Sequence, residues 1–456
     1  MKTIIDLKSN LIKRFALLMV LLAFPGLQAQ VGETLTLKDA VNYALQNKAD
    51  AKKARLELEN SEYQIQEVRA RALPTITANG NVTYNPILQL NALPGDFFGA
   101  PGTTILAPLG QEWVSTAGVS LEQALFDQSV FTGLKAAKST REFYQVNAQL
   151  TDQQVIENVA KVYYQVYVDR AQLKVLDDNY DNNVKVRDII KGQYDNGLAR
   201  KIDLDRMQVN VSNTDAARTR LRNGLQQREN ALKFYIGMPM SNPIILPETE
   251  FEVTPQALNE APDSTQRLEY QLLKKQEQLL YYQKKATIAE YYPTLSLSAN
   301  YNYIGQGPEL PWFAKPADGV YWSDFSAIAL NLRIPIFNGF GTRSRVRQAD
   351  IDLQKIAVDL EDTKIAMDME YSNAVSQINS SLINIENQKE NTELAAEVRD
   401  NTQNNYQNGL SPLTDLIDAE NSYISAQNSY INAVLDFKLA EIQLLKAKGN
   451  LETLKN

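Results

Sequence analysis

Tyr194-Asp195-Asn196-Gly197-Leu198 recurs, 212 residues on, as Tyr406-Gln407-Asn408-Gly409-Leu410. The same shift carries Asp203-Leu204 onto Asp415-Leu416, Leu232 onto Leu444 and Gly237 onto Gly449 without a gap. Upstream, Leu125-Phe126-Asp127 answers to Ile336-Phe337-Asn338 at a shift of 211. Further upstream still, the run Ala70 to Thr75 answers to Ala289 to Thr294 at 219. The order of the matches is conserved and the shift changes only where loops intervene, so the chain is a duplicated unit. Each half reads helix, strand, loop, strand, long helix, turn, helix.

Residues 30–250 form the first repeat, with strands expected at 73–85 and 113–126 and helices at 128–194 and 202–236. The second repeat, 251–456, has a helix at 265–289, strands at 293–304 and 322–337, and helices at 342–406 and 412–448.

The strand segments alternate with period two. Leu295, Leu297, Ala299, Tyr301 and Tyr303 are apolar or aromatic, and Thr294, Ser296, Ser298, Asn300 and Asn302 between them are polar. Ile76, Ala78, Val82 and Tyr84 alternate likewise, as do Leu330, Leu332, Ile334 and Ile336. Four strands of this length suit a tilted bilayer crossing. Trp113, Tyr303, Tyr321 and Trp322 lie toward the loop ends, where an aromatic girdle belongs. A water-soluble sheet with one wet face has the same alternation, and the strands alone do not separate the two.

No Pro interrupts 128–194 or 342–406. At about 1.5 Å per residue each helix would reach roughly 100 Å, which calls for coiled-coil packing. The seam is plainest in Leu416, Ala419, Tyr423, Ala426, Tyr430, Ala433, Phe437, Ala440 and Leu444, where steps of three and four alternate and Ala alternates with large residues. Leu204, Met207, Val211, Thr214, Leu221, Leu225 and Leu232 form its counterpart.

Composition narrows the chemistry. The chain has 456 residues with no His and no Cys, which excludes Ser-His-Asp and Cys-His nucleophiles, disulfides and thiolate metal sites. No cofactor or metal site is expected, and the lack of soft ligands disfavours a dedicated copper or silver exporter. Lys and Arg number 46 against 54 Asp and Glu, a net charge of −8, which argues against nucleic acid as a partner. Mean hydropathy is −0.34, too polar for a bundle of membrane helices.

At the N-terminus Lys2, Lys8, Lys13 and Arg14 precede an apolar run from Phe15 to Phe24, then Pro25-Gly26 and the cleavage-type sequence ending at Ala29 before Gln30. This is the pattern of a secretory signal peptide over 1–29; the run is too short to span a bilayer, though an uncleaved anchor is the alternative. Loss of this segment, whose net charge is +3, leaves a chain of −11. With no Cys after the run, lipoprotein acylation is not expected.

Gly197 and Gly409 follow the long helices, where a left-handed glycine stops a helix. Ser411 is then expected to cap the next helix, with Pro412 at its first position. Asp415 and Asp418 fall on one face of its first turns. Acids there complement the helix dipole; ringed around a pore they would also form an ion-filtering constriction.

Taken together, the duplicated Tyr-x-x-Gly-Leu turns, the Leu-Phe-Asp and Ile-Phe-Asn-Gly segments and the Ala-x-x-x-Pro-Thr strand entries resemble TolC-type outer-membrane efflux proteins over nearly the whole chain. The resemblance implies a homotrimer whose four strands per protomer build a shared twelve-stranded β-barrel in outer-membrane lipid, an α+β membrane protein continued by a periplasmic helical tunnel. It implies a periplasmic adaptor (membrane fusion protein) and an inner-membrane pump of RND or ABC type, serving multidrug efflux or type I secretion without catalysis. The family's acidic gate falls on Asp415 and Asp418. Its tip lock falls on Asp203, Tyr406 and Ser411, where a family Arg is replaced by Ser and Arg200 or Lys201 could substitute. The adaptor-docking tip falls on Gly197, Leu198, Gly409 and Leu410. The competing readings are a periplasmic coiled-coil scaffold without a pore and, more remotely, a hydrolase using Asp415 and Asp418.

Overall fold

The structure, a computed structural model, describes residues 34–247 and 262–455. The expected signal peptide, its Ala29/Gln30 cleavage point and the repeat boundary at 250/251 lie outside the described residues. The chain runs α1 (Leu37–Asn47), α2 (Ala49–Ala70), β1 (Thr75–Tyr84), β2 (Leu90–Pro94), β3 (Thr104–Pro108), β4 (Trp113–Phe126), α3 (Gln128–Asp195) and α4 (Lys201–Ile236). The second repeat supplies α5 (Leu268–Ala289), β5 (Thr294–Gly307), β6 (Tyr321–Arg333), α6 (Gly341–Gln407) and α7 (Leu413–Ala447). Helices α2 and α5 are both 22 residues long, and α3 and α6 are 68 and 67.

Local chemistry sets several of these boundaries. Thr36 and Asp39 form a reciprocal capping box at α1. Asp127 opens α3 by accepting the Ser129 N–H at 2.8 Å. The expected loop between the first two strands, 86–112, contains the β2–β3 hairpin, a two-stranded sheet separate from the main one. Strand β6 stops at Arg333, because Pro335 has no N–H to continue a ladder.

The main sheet is antiparallel in the order β1-β4-β5-β6, so the β4–β5 ladder joins the repeats and β1 and β6 are left as edges. Residues directly opposite in a ladder share a face. Ile76↔Leu121↔Ala299↔Ile328, Ala78↔Val119↔Tyr301 and Val82↔Ser115↔Gly305↔Trp322 therefore trace one face across the sheet. The other face carries Thr77↔Ser120↔Asn300 and Asn79↔Gly118↔Asn302. One side is mostly apolar, with Ser115, Asp324 and Ser326 toward its loop end, the other is polar near the sheet centre, and among the described residues no helix packs over either. Ile328, Leu330 and Leu332 are left exposed.

Aromatic rings gather at the loop end of the apolar face. Tyr303 stacks on Trp322 at 4.7 Å, Trp312 meets Trp322 edge-on at 5.0 Å, and Tyr84 lies 4.6 Å from Trp113. Gly305 sits beneath the Trp322 ring, where a Cβ would fall 2.5 Å from an indole carbon. Tyr321, opposite Gln306, turns to the polar side, so it is no part of this girdle.

The helices hold the buried core. Tyr163, Ile156, Leu232, Ile236 and Ile442 join α3, α4 and α7 to α1, and the Tyr163 hydroxyl donates to Leu35 O at 3.0 Å. Phe437 is fully buried between Ala374 and Ile378 of α6 and Ala433 and Ala440 of its own helix. None of the nine residues of the α7 seam is exposed. At the sheet-distal start of α5, buried Arg267 pairs with Glu269 at 2.8 Å and with Glu370 of α6 at 2.6 Å. Lys446 of α7 then links Glu370 to Glu157 of α3 at 3.7 and 3.3 Å.

Two outcomes follow from the faces and the core. Leu330→Arg should cost about 2–4 kcal/mol in a vesicle-refolding titration, as for a cation facing lipid near mid-membrane, whereas Asn300→Arg on the polar face should cost far less. Phe437→Ala should cost about 3–5 kcal/mol in thermal unfolding of the helical part.

Candidate functional site at the helix turns

The two long hairpins, α3–α4 and α6–α7, end in turns of the same geometry. Gly197 and Gly409 have φ of 78° and 73°, in the left-handed region where a side chain is strained. Leu198 N–H donates to Gln193 O and Leu410 N–H to Asn405 O, both at 2.8 Å. The Asn196 and Asn408 side chains each donate to the carbonyl four residues back, at 2.7 and 2.8 Å. Orphan carbonyls of both long helices are thus satisfied in the same way. The leucines that follow are not used for packing: Leu198 is 81 % exposed and Leu410 77 %.

Behind the turns an apolar cluster ties one hairpin to the other. Ile190, Met207, Leu413 and Leu416 are buried, with Leu204, Tyr406 and Ile417 packed around them. Burial and the nearby Asp203 carboxylate raise the Tyr406 hydroxyl above the ordinary tyrosine value. Arg200 grips Asp203 with two hydrogen bonds, Nε to Oδ2 at 2.9 Å and Nη2 to Oδ1 at 3.2 Å. Asp203, Tyr406 and Arg200 therefore come together. Ser411 makes no side-chain cap: Pro412 itself occupies the N-cap and α7 starts at Leu413. Ser411 and Pro412 are thus each displaced one place outward from the expected helix start.

Asp415 and Asp418 are exposed on the first two turns of α7. Asp418 borders an open groove of about 520 Å³ between α4 and α7, together with Ile202, Asp205, Arg206, Val209 and Ile417. Two turns into the hairpin, Glu420 accepts from Asn182 Nδ2 of α3 at 2.8 Å. Burial raises the Glu420 carboxyl above its ordinary range, opposed by Arg399 and by the Asn182 bond and assisted by Asp400. Arg399 lies over the Tyr423 ring at 4.1 Å and holds Asp400 at 2.5 Å. In the first repeat Arg187 holds Asp188 at 2.7 Å in the same way. These residues were not singled out from the sequence, yet Val186-Arg187-Asp188 and Val398-Arg399-Asp400 obey the same 212-residue shift as the turns.

A family model described as outer membrane efflux protein matches residues 40–238 and again 256–450. Outer membrane protein TolC of Vibrio cholerae is 23 % identical over 345 residues, 74 % of this chain and 77 % of the relative. The probable outer membrane lipoprotein SilC of Salmonella typhimurium is 22 % identical over 419 residues, 90 % and 84 % of the two chains. Among solved structures, the CmeC outer membrane channel of Campylobacter jejuni superposes with a TM-score of 0.72 at 16 % identity, over 94 % of this chain and 91 % of that one.

The raised Glu420 carboxyl fixes the sign of a pH effect. A carboxyl whose value is higher in the packed tip than in water binds its proton more tightly when packed, so acid favours the packed state. That advantage is present as pH falls below the raised value and fades as pH climbs from about 4.5 upward through it. Separation of the α3 and α7 tips, followed by a spin-label distance across them, should therefore become easier as pH rises through this window. Glu420→Gln should flatten the dependence.

Proposed function

The chain belongs to the outer membrane efflux protein family, and from that premise we propose that three copies form the outer-membrane duct of a tripartite export system. The observation that carries this reading is the sheet: one face mostly apolar across four strands, the other carrying Thr, Ser and Asn at its centre, and an unpaired strand at each edge. In lipid those edges must find partners, since unpaired backbone groups cost several kcal/mol each. Joining β6 of one copy to β1 of the next closes twelve strands around a polar interior. A pore-free scaffold would leave the apolar face in water.

The helices continue the wall into the periplasm and carry no catalytic group; transport is driven by a partner pump of RND or ABC type through a periplasmic adaptor. At the tip, Asp415 and Asp418 from three copies form a ring of carboxylates that narrows the entrance and binds cations. Arg200 with Asp203, and Tyr406 beside them, hold the hairpins together in the closed state. In this chain the lock is made within the first repeat, with Arg200 in place of an Arg at Ser411. Leu198 and Leu410, held out by Gly197 and Gly409, are the apolar contacts offered to the adaptor.

Outer-membrane fractionation with trimer mass and conductance in planar bilayers tests the duct; a monomer released by osmotic shock would overturn it. Asp415→Ala with Asp418→Ala should weaken divalent-cation block of that conductance, and unchanged block would leave the acids as dipole complements only. Leu198→Asp with Leu410→Asp should abolish pump-dependent export while trimer and conductance persist.

A further inference from the structure

We propose that the groove between α2 and α3, just beneath the sheet, seats the anionic headgroup of a phospholipid from the periplasmic leaflet, whose acyl chains lie against the apolar sheet face. This rests on the lipid-facing reading of the sheet given above.

The path from sheet to groove follows two rings. A bulge between Ala124 and Phe126 shifts the β4–β5 register, so Phe126 rather than Leu125 falls opposite Leu295 on the apolar face. Its ring lies 6.3 Å from that of Phe131 on α3, and both are exposed. Phe131 therefore marks where the lipid-facing side of the sheet passes onto the helix. Lys135, Lys138 and Glu142 follow it on the same helical face, all exposed. At 1.5 Å per residue the two lysine Cα atoms lie about 6 and 10 Å below Phe131. The headgroup layer is roughly 5–8 Å thick on each side of a bilayer, and a lysine stem reaches back toward it while keeping the ammonium among polar groups.

The groove itself has a volume of about 340 Å³ and is lined by Glu62, Gln66 and Arg69 of α2 and by Lys138, Glu142 and Gln145 of α3. That is room for a headgroup and not for its chains. Both acids are already engaged, Glu62 with Arg141 and Glu142 with Lys275 of α5 at 2.7 Å. Arg69 and Lys138 have no carboxylate in ion-pair range among the described residues. The two helices run antiparallel, with Val68 against Gly133 and Glu62 against Arg141. Side chains lean toward the N-terminus of their own helix, so Arg69 leans away from the sheet and Lys138 toward it, and the two converge. Such a pair, with Lys135 just above, suits a phosphodiester, which Arg can hold through two donors. The duplication does not carry these cations: Arg69, Lys135 and Lys138 answer to Ile288, Val346 and Ala349. The common fold therefore does not require them, and the groove is a feature of the first repeat.

Purified trimers titrated with dioleoylphosphatidylglycerol and read by native mass spectrometry should retain one such lipid per copy. Dioleoylphosphatidylethanolamine, with no net charge, should be held at least about tenfold more weakly. Arg69→Gln with Lys138→Gln should weaken retention of the anionic lipid roughly 30-fold. Lys285→Gln, which removes an exposed cation of α5 outside the groove, should leave it unchanged. Inorganic phosphate at the same concentration should not displace the lipid, because the chains hold it as well as the headgroup. Equal retention of the two lipids, an unaffected double variant, an equal loss in Lys285→Gln or displacement by inorganic phosphate each overturns the groove as a lipid site. A wild-type chain that fails to sediment with outer membranes overturns the lipid-facing reading beneath it, so the two failures are told apart.

Discussion

A largely apolar sheet face that no described helix covers is the constraint on which the rest of the molecule depends. Ile328, Leu330 and Leu332 beside Leu295, Leu297 and Ala299 cannot be left in water over such an area. Placing them in lipid solves that problem and creates another, because lipid offers no hydrogen bonds to the outer edges of β1 and β6. The edges are satisfied only by other copies, so membrane insertion and assembly are one requirement rather than two. The polar inner face, Asn79, Asn300 and Asn302 included, then lines a space that water can fill.

Below the membrane the demands change from sealing to stiffness. Helices of 68 and 67 residues would bend if packed loosely. Here Ala alternates with Tyr and Phe along α7, so the helices approach closely and large side chains fill the gaps left by small ones. Where α5 begins, the Arg267–Glu370–Lys446–Glu157 chain of ion pairs ties both repeats together at one level. Toward the turns the packing narrows to a small apolar cluster and a few polar bonds.

Periodicity and repetition made most of this readable in the sequence. The strict alternation of 294–303 fixed a face, and the recurrence of Tyr-x-x-Gly-Leu fixed the hairpin ends. Features that depend on one atom's reach were not readable. Tyr321 sits one residue from Trp322 and so on the opposite face, which only the ladder register decides. Ser411 is a strong N-cap residue by type, but the turn puts Pro412 in that place. Arg200 lies next to its partner in sequence, yet its two-point grip on Asp203 needs a side-chain geometry that spacing does not specify. The Arg187 and Arg399 pairs were visible as a repeat but carried no chemical signature until their neighbours were known.

The two open edges of the sheet have a genetic consequence. Because β1 and β6 differ, each copy is both donor and acceptor in a head-to-tail ring, and one copy with a spoiled edge leaves the whole ring unclosed. When intact and spoiled copies are made in equal amounts and mix at random, only about one ring in eight contains three intact copies. A cell carrying both alleles would behave nearly as if it carried only the defective one, so edge-strand lesions in this protein should be dominant, whereas lesions that prevent synthesis should be recessive.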